Sequence, residues 1–188
     1  LKTFASGGRI ITVHGDYFAS VQNPEMILYT TDPHEVDRLV STCTVINTRL
    51  MECTTPKDEA FDHRPGNVRI YQIAFKMDNV TSLLQLPLSH PNLQSDMSYV
   101  EDPKFFKFNH PVKDYKSDQL VIEGEKINFA SNERDVSVKI GDSSCNITSI
   151  TETQLLCFPP NHSPTAITDV YPEVVVQVGE HLLFKVGN

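Results

Sequence analysis

The amino-acid sequence contains the same pattern twice, and this internal repeat limits the possible folds more than any other feature. Residues 9–15 resemble residues 118–124 when Gly15 is aligned with Gly124. The apolar residues of both segments then occupy the same alternate positions, as the two-residue period of a β-strand requires. The matched apolar pairs are Ile11 with Leu120 and Val13 with Ile122.

Each copy continues with two cysteine-containing segments in the same order. Cys43 corresponds to Cys145 and Cys53 corresponds to Cys157, with apolar residues at matching alternate positions beside them. A polar, proline-containing loop follows in each copy, and a pair of apolar strands is expected to close it. These strand pairs are residues 68–71 with 73–77 and residues 174–178 with 181–186, and they place Phe75 on Phe184.

The alternation of apolar and polar residues predicts short strands and little helix. Residues 136–142 alternate cleanly and end in a turn dipeptide, whereas the best helical pattern, residues 33–39, is long enough for only one or two turns. Several such strands in each copy predict an all-β protein of two tandem immunoglobulin-like β-sandwich domains. We expect domains at residues 1–96 and 97–188, with a junction within residues 89–97.

The ends of the two copies indicate a piece of a longer array. Residues 102–108 predict an opening strand for the second copy, and the equivalent strand of the first copy would precede Leu1, so the first domain is expected to lack it. The second copy stops at Asn188, the counterpart of Asn79, so its closing strand is expected to be clipped. The sequence has no apolar stretch long enough to span a bilayer and no apolar leader in residues 1–8.

The four cysteines are divided equally between the copies. Four cysteines allow three pairings, and the repeat makes Cys43 with Cys53 and Cys145 with Cys157 the simplest. A reduced pair in each core is the alternative, and a metal site is less favoured because neither spacing matches a zinc knuckle. Disulfides would imply an oxidising compartment.

Three Asn-X-Ser/Thr triplets support that compartment, since this triplet is the acceptor for N-linked glycans. The triplets begin at Asn79, Asn146 and Asn161. Asn146 lies between Cys145 and Ile147, which are both expected to face inward, so its side chain is expected to point to solvent. Pro164 directly follows the third triplet, which favours Asn79 and Asn146 as the occupied sites.

The composition and motifs argue against nucleic-acid binding and catalysis. The formal net charge is −8, and a surface of that sign repels phosphate backbones. The sequence contains no nucleophile elbow and no glycine-rich phosphate loop, and its seven histidines lack metal-ligand spacing and are expected at turns and surfaces. The acidic pairs Asp58-Glu59 and Glu101-Asp102 are expected to be solvated loop charge. We therefore expect no enzyme activity, no cofactor and no metal site.

The repeated residues resemble the IPT/TIG domain. The resemblance is carried by Ile11, Val13, Gly15 and Phe18, followed by a cysteine, a Leu-x-x-Cys-x-x-Pro segment and a valine-rich hairpin. The two-cysteine version at residues 153–160, and the lead-in at residues 99–105, are similar to the IPT repeats of plexins, the semaphorin receptors. The receptors for hepatocyte growth factor and macrophage-stimulating protein carry related repeats and are the alternative.

The resemblance implies a non-catalytic stalk segment in the extracellular part of a single-pass type I plasma-membrane receptor. Such a segment would space and orient the ligand-binding head in cell-guidance signalling. Semaphorin would bind other domains of the parent chain, and co-receptors, self-association and N-linked glycans are the partners allowed for these domains. A protein-binding module of a receptor of the hepatocyte-growth-factor type is the alternative function. A DNA-binding TIG domain is disfavoured by the net charge, the cysteines and the glycan triplets.

Overall fold

The computed structural model of the chain describes residues 1–30, 38–80, 96–110, 118–162, 164–166 and 171–188. The chain divides into two compact units, Leu1–Glu101 and Asp102–Asn188. The division falls after Glu101 rather than between residues 96 and 97, because the strand at residues 96–100 is hydrogen-bonded into the sheet of the first unit. Residues 89–95 of the expected junction lie outside the described residues.

The strands of the first unit follow the alternating segments of the sequence. They are β1 (Lys2–Phe4), β2 (Ile10–His14), β3 (Pro24–Tyr29), β4 (Arg38–Asn47), β5 (Leu50–Thr54), β6 (Val68–Met77) and β7 (Asp96–Val100). A single 3-10 turn at Phe18–Ser20 follows β2. The hydrogen-bonded order is β1-β7-β6-β3-β4-β5-β2.

The strands of the second unit repeat this arrangement. They are β8 (Lys104–Phe105), β9 (Leu120–Glu125), β10 (Val136–Ile140), β11 (Ser143–Ile150), β12 (Gln154–Phe158), β13 (Val174–Val178) and β14 (Leu182–Gly187). Their order is β14-β13-β10-β11-β12-β9-β8. Six strands therefore occur in the same order in both units, from β7 or β14 at or next to one edge to β2 or β9 at or next to the other. The predicted tandem of immunoglobulin-like β-sandwiches is confirmed.

The opening strands of the two units differ. In the second unit, β8 pairs antiparallel with β9 through Lys104 and Phe105. In the first unit, β1 instead pairs parallel with β7, at the opposite edge of the strand order. The first unit therefore opens with β1 at residues 2–4, which is not the counterpart of β8 that the sequence alignment places before Leu1.

The closing strands also correct the sequence alignment. Residues 68–77 form one continuous strand, β6, since no turn residue interrupts the alternation between Tyr71 and Ile73. The partner of β6 is β7, so Phe75 in β6 is not the structural equivalent of Phe184 in β14. In the second unit, β14 follows β13 after a turn with left-handed Gly179. This strand takes the place that β7 has in the first unit, so the closing strand that was expected to be clipped is present.

The helix expected at residues 33–39 falls partly outside the described residues. Residues 33–37 lie outside the described residues, while Arg38 and Leu39 are in β4 and pair with β3. Among the described residues, no helix is long and apolar enough to cross a membrane.

The core of each unit lies between the inward faces of its strands. Strand β10 shows the pattern most clearly, because Val136, Val138 and Ile140 are buried and the two residues between them are exposed. The largest fully buried side chains of the first unit include Met26, Leu28, Met51, Tyr71, Met97 and Tyr99. Removing such surfaces from water contributes about 25 cal/mol per Å² of apolar area, so these side chains are the main source of stability.

Candidate functional site

The disulfide of the first unit lies where one strand passes between two neighbours. Residues 38–42 of β4 pair with β3, whereas the residues from Cys43 onwards pair with β5. Cys43 is therefore the first residue beyond the crossing, and it stands directly opposite Cys53 with 4.2 Å between their Cα atoms. The bond fixes the crossing strand to β5, and both cysteines are buried.

The second disulfide occupies the equivalent place in the second unit. Cys145 is the last residue of β11 that pairs with β10, and it is bonded to Cys157 of β12 with a Cα–Cα distance of 5.6 Å. Each crossing strand also has a register shift shortly after its cysteine, between Val45 and Asn47 in β4 and between residues 147 and 149 in β11. A bulge of this kind bends a strand and helps it change sheets.

The three asparagines of the glycan triplets are all exposed. Asn79 lies in the turn after β6, Asn146 lies in β11 opposite Phe158, and Asn161 follows β12. The expected outward orientation of Asn146 agrees with the burial of Cys145 beside it. Residues 81 and 163, which complete the first and third triplets, lie outside the described residues.

One acidic residue behaves differently from the solvated loop charge that the sequence suggests. Asp58 is only 3% exposed, and its carboxylate accepts hydrogen bonds from the Tyr71 hydroxyl at 2.8 Å and from Arg69 Nη1 at 3.2 Å. Its neighbour Glu59 is exposed and pairs with Lys57 at 3.0 Å. The expectation for Asp58 was wrong because local composition cannot show that two residues of β6 bring a guanidinium and a phenol to this loop.

A second tyrosine completes this buried polar cluster. The Tyr99 hydroxyl donates a hydrogen bond of 2.8 Å to the Pro56 carbonyl, and its ring meets the Tyr71 ring edge to face at 5.2 Å. Burial, with a further contribution from the negative charge of Asp58, holds the pKa of Tyr99 above its usual value. The cluster therefore anchors the loop after β5 to β6 and β7.

In the second unit, an exposed carboxylate organises the turn between β10 and β11. Asp142 accepts hydrogen bonds from the Thr165 hydroxyl, from the Ser143 hydroxyl at 2.9 Å and from the Thr165 amide at 3.1 Å. The Thr165 hydroxyl, followed by that of Ser143, lowers the pKa of Asp142 to about 2. Ser143 Oγ also lies 3.1 Å from His162 Nε2.

Possible metal-ligand side chains are scattered in the described part of the chain. The described part of the chain contains no group of three or more His, Cys, Asp or Glu side chains able to hold a metal ion. The histidines in it are exposed, as expected for turn and surface positions: His14, His63, His110, His162 and His181.

Comparisons with known proteins connect this geometry to one family. The sequence model of the IPT/TIG domain matches residues 115–183, which lie within the second unit. Plexin-2 of Caenorhabditis briggsae is 32% identical over 168 residues, covering 87% of this chain and 9% of that protein. Plexin-2 of Caenorhabditis elegans is 31% identical over 170 residues, covering 88% of this chain and 9% of that protein. The chain is an IPT/TIG-domain fragment of the plexin family.

The other relatives are consistent with this assignment. Human Plexin-B1 is 25% identical over 224 residues, covering all of this chain and 10% of that protein. The solved structure of the Plexin A4 full extracellular region matches 97% of this chain and 13% of that chain, with a TM-score of 0.50 and 22% identity, which supports the fold alone. The plexin fragment thus spans about a tenth of the length of the curated relatives it matches. These matches favour plexins over receptors of the hepatocyte-growth-factor type.

Both units of the plexin fragment share a corner after the strand that begins the repeat, β2 in the first unit and β9 in the second. In the first unit, the Gly15 and Phe18 amides donate to the Arg49 and Thr48 carbonyls at 3.1 and 3.0 Å. Tyr17, between them, has a left-handed φ of 64°. A Cβ at Gly15 would lie 2.5 Å from Cζ of Phe18, so any larger residue here would force the Phe18 ring to move.

The second unit builds the corresponding corner from different side chains. The Gly124 and Ile127 amides donate to the Thr153 and Glu152 carbonyls at 2.9 and 3.0 Å, and Lys126 has a φ of 58°. The sequence shows the glycine of each corner, Gly15 or Gly124, and the apolar residue three positions later, Phe18 or Ile127. The left-handed conformation of Tyr17 and Lys126 cannot be recognised in the sequence, because neither tyrosine nor lysine is a residue type that favours it.

Proposed function

We propose that the chain is a non-catalytic spacer in the extracellular part of a plexin-type membrane receptor, where it sets the distance and orientation of other domains relative to the membrane. The observation that carries the proposal is the repeated strand order, with a disulfide at the same strand crossing in each unit. A module that must transmit position benefits from a resistant fold, and a disulfide supplies one by restricting the unfolded chain. Membership of the plexin family supports the extracellular setting.

The proposal extends to glycans on the exposed asparagines. We infer that Asn79 and Asn146 carry N-linked glycans, and that Asn161 is occupied less because Pro164 follows its triplet. Hydrophilic glycans on sandwich surfaces would discourage unwanted pairing between molecules. Glycosidase treatment of the secreted protein in heavy-oxygen water tests this directly, because each released site becomes a labelled aspartate. Unlabelled asparagine at both 79 and 146 would contradict the inference.

The spacer role is tested by replacing the segment in its parent receptor. One replacement is an unrelated pair of rigid, disulfide-stapled β-sandwiches of similar length, and the other is a flexible Gly/Ser linker with the same number of residues. A spacer predicts that the rigid replacement preserves the cellular response to semaphorin while the flexible linker impairs it. Equal function of both replacements, or loss with both, would contradict the spacer role, and loss with both would favour a direct binding function.

A further inference from the structure

An exposed aromatic ring lies directly across the strands from one of the glycan asparagines. Phe158 of β12 is 46% exposed, and the register of the sheet places it opposite Asn146 of β11. Side chains of directly opposite residues in an antiparallel pair project from the same face, with about 4.5–5.5 Å between their Cβ atoms. The ring and the acceptor amide are therefore neighbours on the outward face of the second unit.

The disulfide fixes the direction of both side chains. Cys157, next to Phe158, is fully buried and pairs with β9 on one side and with β11 on the other. Cys145, next to Asn146, is buried and bonded to Cys157. Because neighbouring residues of a strand point to opposite faces, neither Asn146 nor Phe158 can turn inward without moving the disulfide.

The first unit shows that the fold does not require an aromatic ring at this place. The residue after the second cysteine is Phe158 in the second unit and Thr54 in the first. The residue after the first cysteine is Asn146 in the second unit and Thr44 in the first, where it lies opposite Glu52 and begins no glycan triplet. The exposed ring therefore occurs in the unit whose matching strand carries the glycan acceptor.

Further apolar surface adjoins the ring on the same face. Leu156, which precedes Phe158 by two positions in β12, is partly buried, and its partner Val121 in β9 is 37% exposed. Covering these side chains is favourable because apolar area is removed from water. The surface beside Asn146 thus offers an apolar platform to whatever is attached there.

We propose that the first sugar of the glycan on Asn146 packs against the Phe158 ring, an inference that rests on the glycosylation of Asn146 proposed for the chain. This sugar is an N-acetylglucosamine, whose pyranose ring carries C–H groups on its faces and polar groups around its rim. The negatively polarised face of an aromatic ring attracts such C–H groups. The covalent bond to Asn146 keeps the sugar beside the ring, so that packing loses little of the entropy that free association would lose.

The packed sugar becomes part of the folded second unit, and this has a measurable consequence. The ring gains its cover only in the folded, glycosylated chain, so the stabilising effects of the glycan and of Phe158 depend on each other. An ordinary surface glycan and an unrelated exposed ring would instead contribute independently to stability.

A double-mutant cycle on the secreted chain measures this dependence. N146Q removes the glycan, F158A removes the ring, and calorimetry gives the unfolding midpoint of the second unit in all four combinations. N146Q should lower the midpoint by about 4 °C when Phe158 is present and by about 1 °C or less in the F158A background. The matched control is L183A, at another exposed apolar residue of the second unit, which should leave the effect of N146Q unchanged.

NMR spectroscopy tests the contact itself. When the glycan is trimmed enzymatically to its first sugar, the ring current of Phe158 should move the C–H signals of the sugar on Asn146 upfield. F158L keeps an apolar side chain but has no aromatic ring, and it should return those signals to the positions of an unpacked sugar.

Mass spectrometry of the secreted wild-type chain separates the failure of this inference from the failure of the glycan assignment. An unmodified Asn146 would overturn both. A modified Asn146 with additive effects of N146Q and F158A, or with sugar signals that F158L leaves in place, would overturn the packing of the sugar on Phe158 and leave the glycosylation intact.

Discussion

The Tyr71 hydroxyl donates a 2.8 Å hydrogen bond to Oδ2 of Asp58, and this contact fixes the loop after β5 to β6 inside the first unit. Arg69, which is 15% exposed at its side chain, supplies a compensating charge 3.2 Å from the other carboxylate oxygen. A buried carboxylate is tolerated only with such partners.

Replacing Asp58 with alanine should therefore destabilise the first unit strongly. The change leaves the Tyr71 hydroxyl and the Arg69 guanidinium without their shared acceptor, and we expect a loss of about 3 kcal/mol in the free energy of unfolding. Urea denaturation measures it. The control is E59A at the next residue, which removes only an exposed ion pair and should change stability by less than about 0.5 kcal/mol. Equal effects of the two variants would contradict the buried cluster.

The carboxylate of Asp142 should make the second unit less stable in acid. Hydrogen bonds from Thr165 and Ser143 lower its pKa to about 2 from an ordinary 3.8, so the folded state favours the charged form. The stabilisation is present above the ordinary pKa and is lost as the pH falls from about 4 to about 2. The thermal unfolding midpoint of the second unit should fall as the pH is lowered across that range. In D142N, which lacks the titrating carboxylate, the midpoint should fall less.

The Thr165 hydroxyl is the main cause of this effect, which allows a finer test. T165V removes the hydroxyl with little change in shape, and NMR titration should then show the Asp142 pKa moving up towards its ordinary value. An unchanged Asp142 pKa in T165V would contradict the assignment of cause.

Two buried hydroxyls of the first unit should respond oppositely to substitution. Within the described part of the chain, Ser41 Oγ is buried without a hydrogen-bond partner, whereas Thr55 Oγ1 interacts with Thr3 Oγ1 and the Arg9 amide, both at 2.9 Å. S41A should be neutral or stabilising by up to about 1 kcal/mol, since it removes an unsatisfied group. T55A should destabilise by about 1–2 kcal/mol. Denaturation midpoints of both variants provide the comparison, and a destabilised S41A would show that its hydroxyl is satisfied.

The two disulfides should stabilise separate units. Replacing both Cys43 and Cys53 with alanine opens a loop with a sequence separation of 10 residues, for which the chain-entropy model gives about 2.5–3 kcal/mol. We expect calorimetry to show a lower unfolding temperature for the first unit only. The matched variant at Cys145 and Cys157 should affect the second unit only. A uniform shift of both transitions would indicate that the units do not unfold separately.

The sequence predicts most of the architecture because both copies use the same alternating strands and place their cysteines alike. The alternation of β10, the inward Cys145 and the outward Asn146 were all correct, since each depends only on neighbouring residues. The strand assignments failed where pairing over long distances decides the outcome. Nothing local in residues 2–4 indicates a parallel partner at residues 98–100.

The candidate sites show the same division between local and distant determinants. The glycan triplets are short motifs and are visible in the sequence. The burial of Asp58 is not visible, because its partners Arg69 and Tyr71 reach it from β6. The left-handed conformation of Tyr17 is likewise imposed by hydrogen bonds to residues 48 and 49 in another part of the chain.

Peptide mapping of the native secreted protein, digested without reduction, tests most directly whether each β-sandwich contains its own disulfide bond. Two linked peptides should be found, one joining Cys43 to Cys53 and one joining Cys145 to Cys157, with no free thiol. Peptides that join a cysteine of one unit to a cysteine of the other, or four free thiols, would contradict the account.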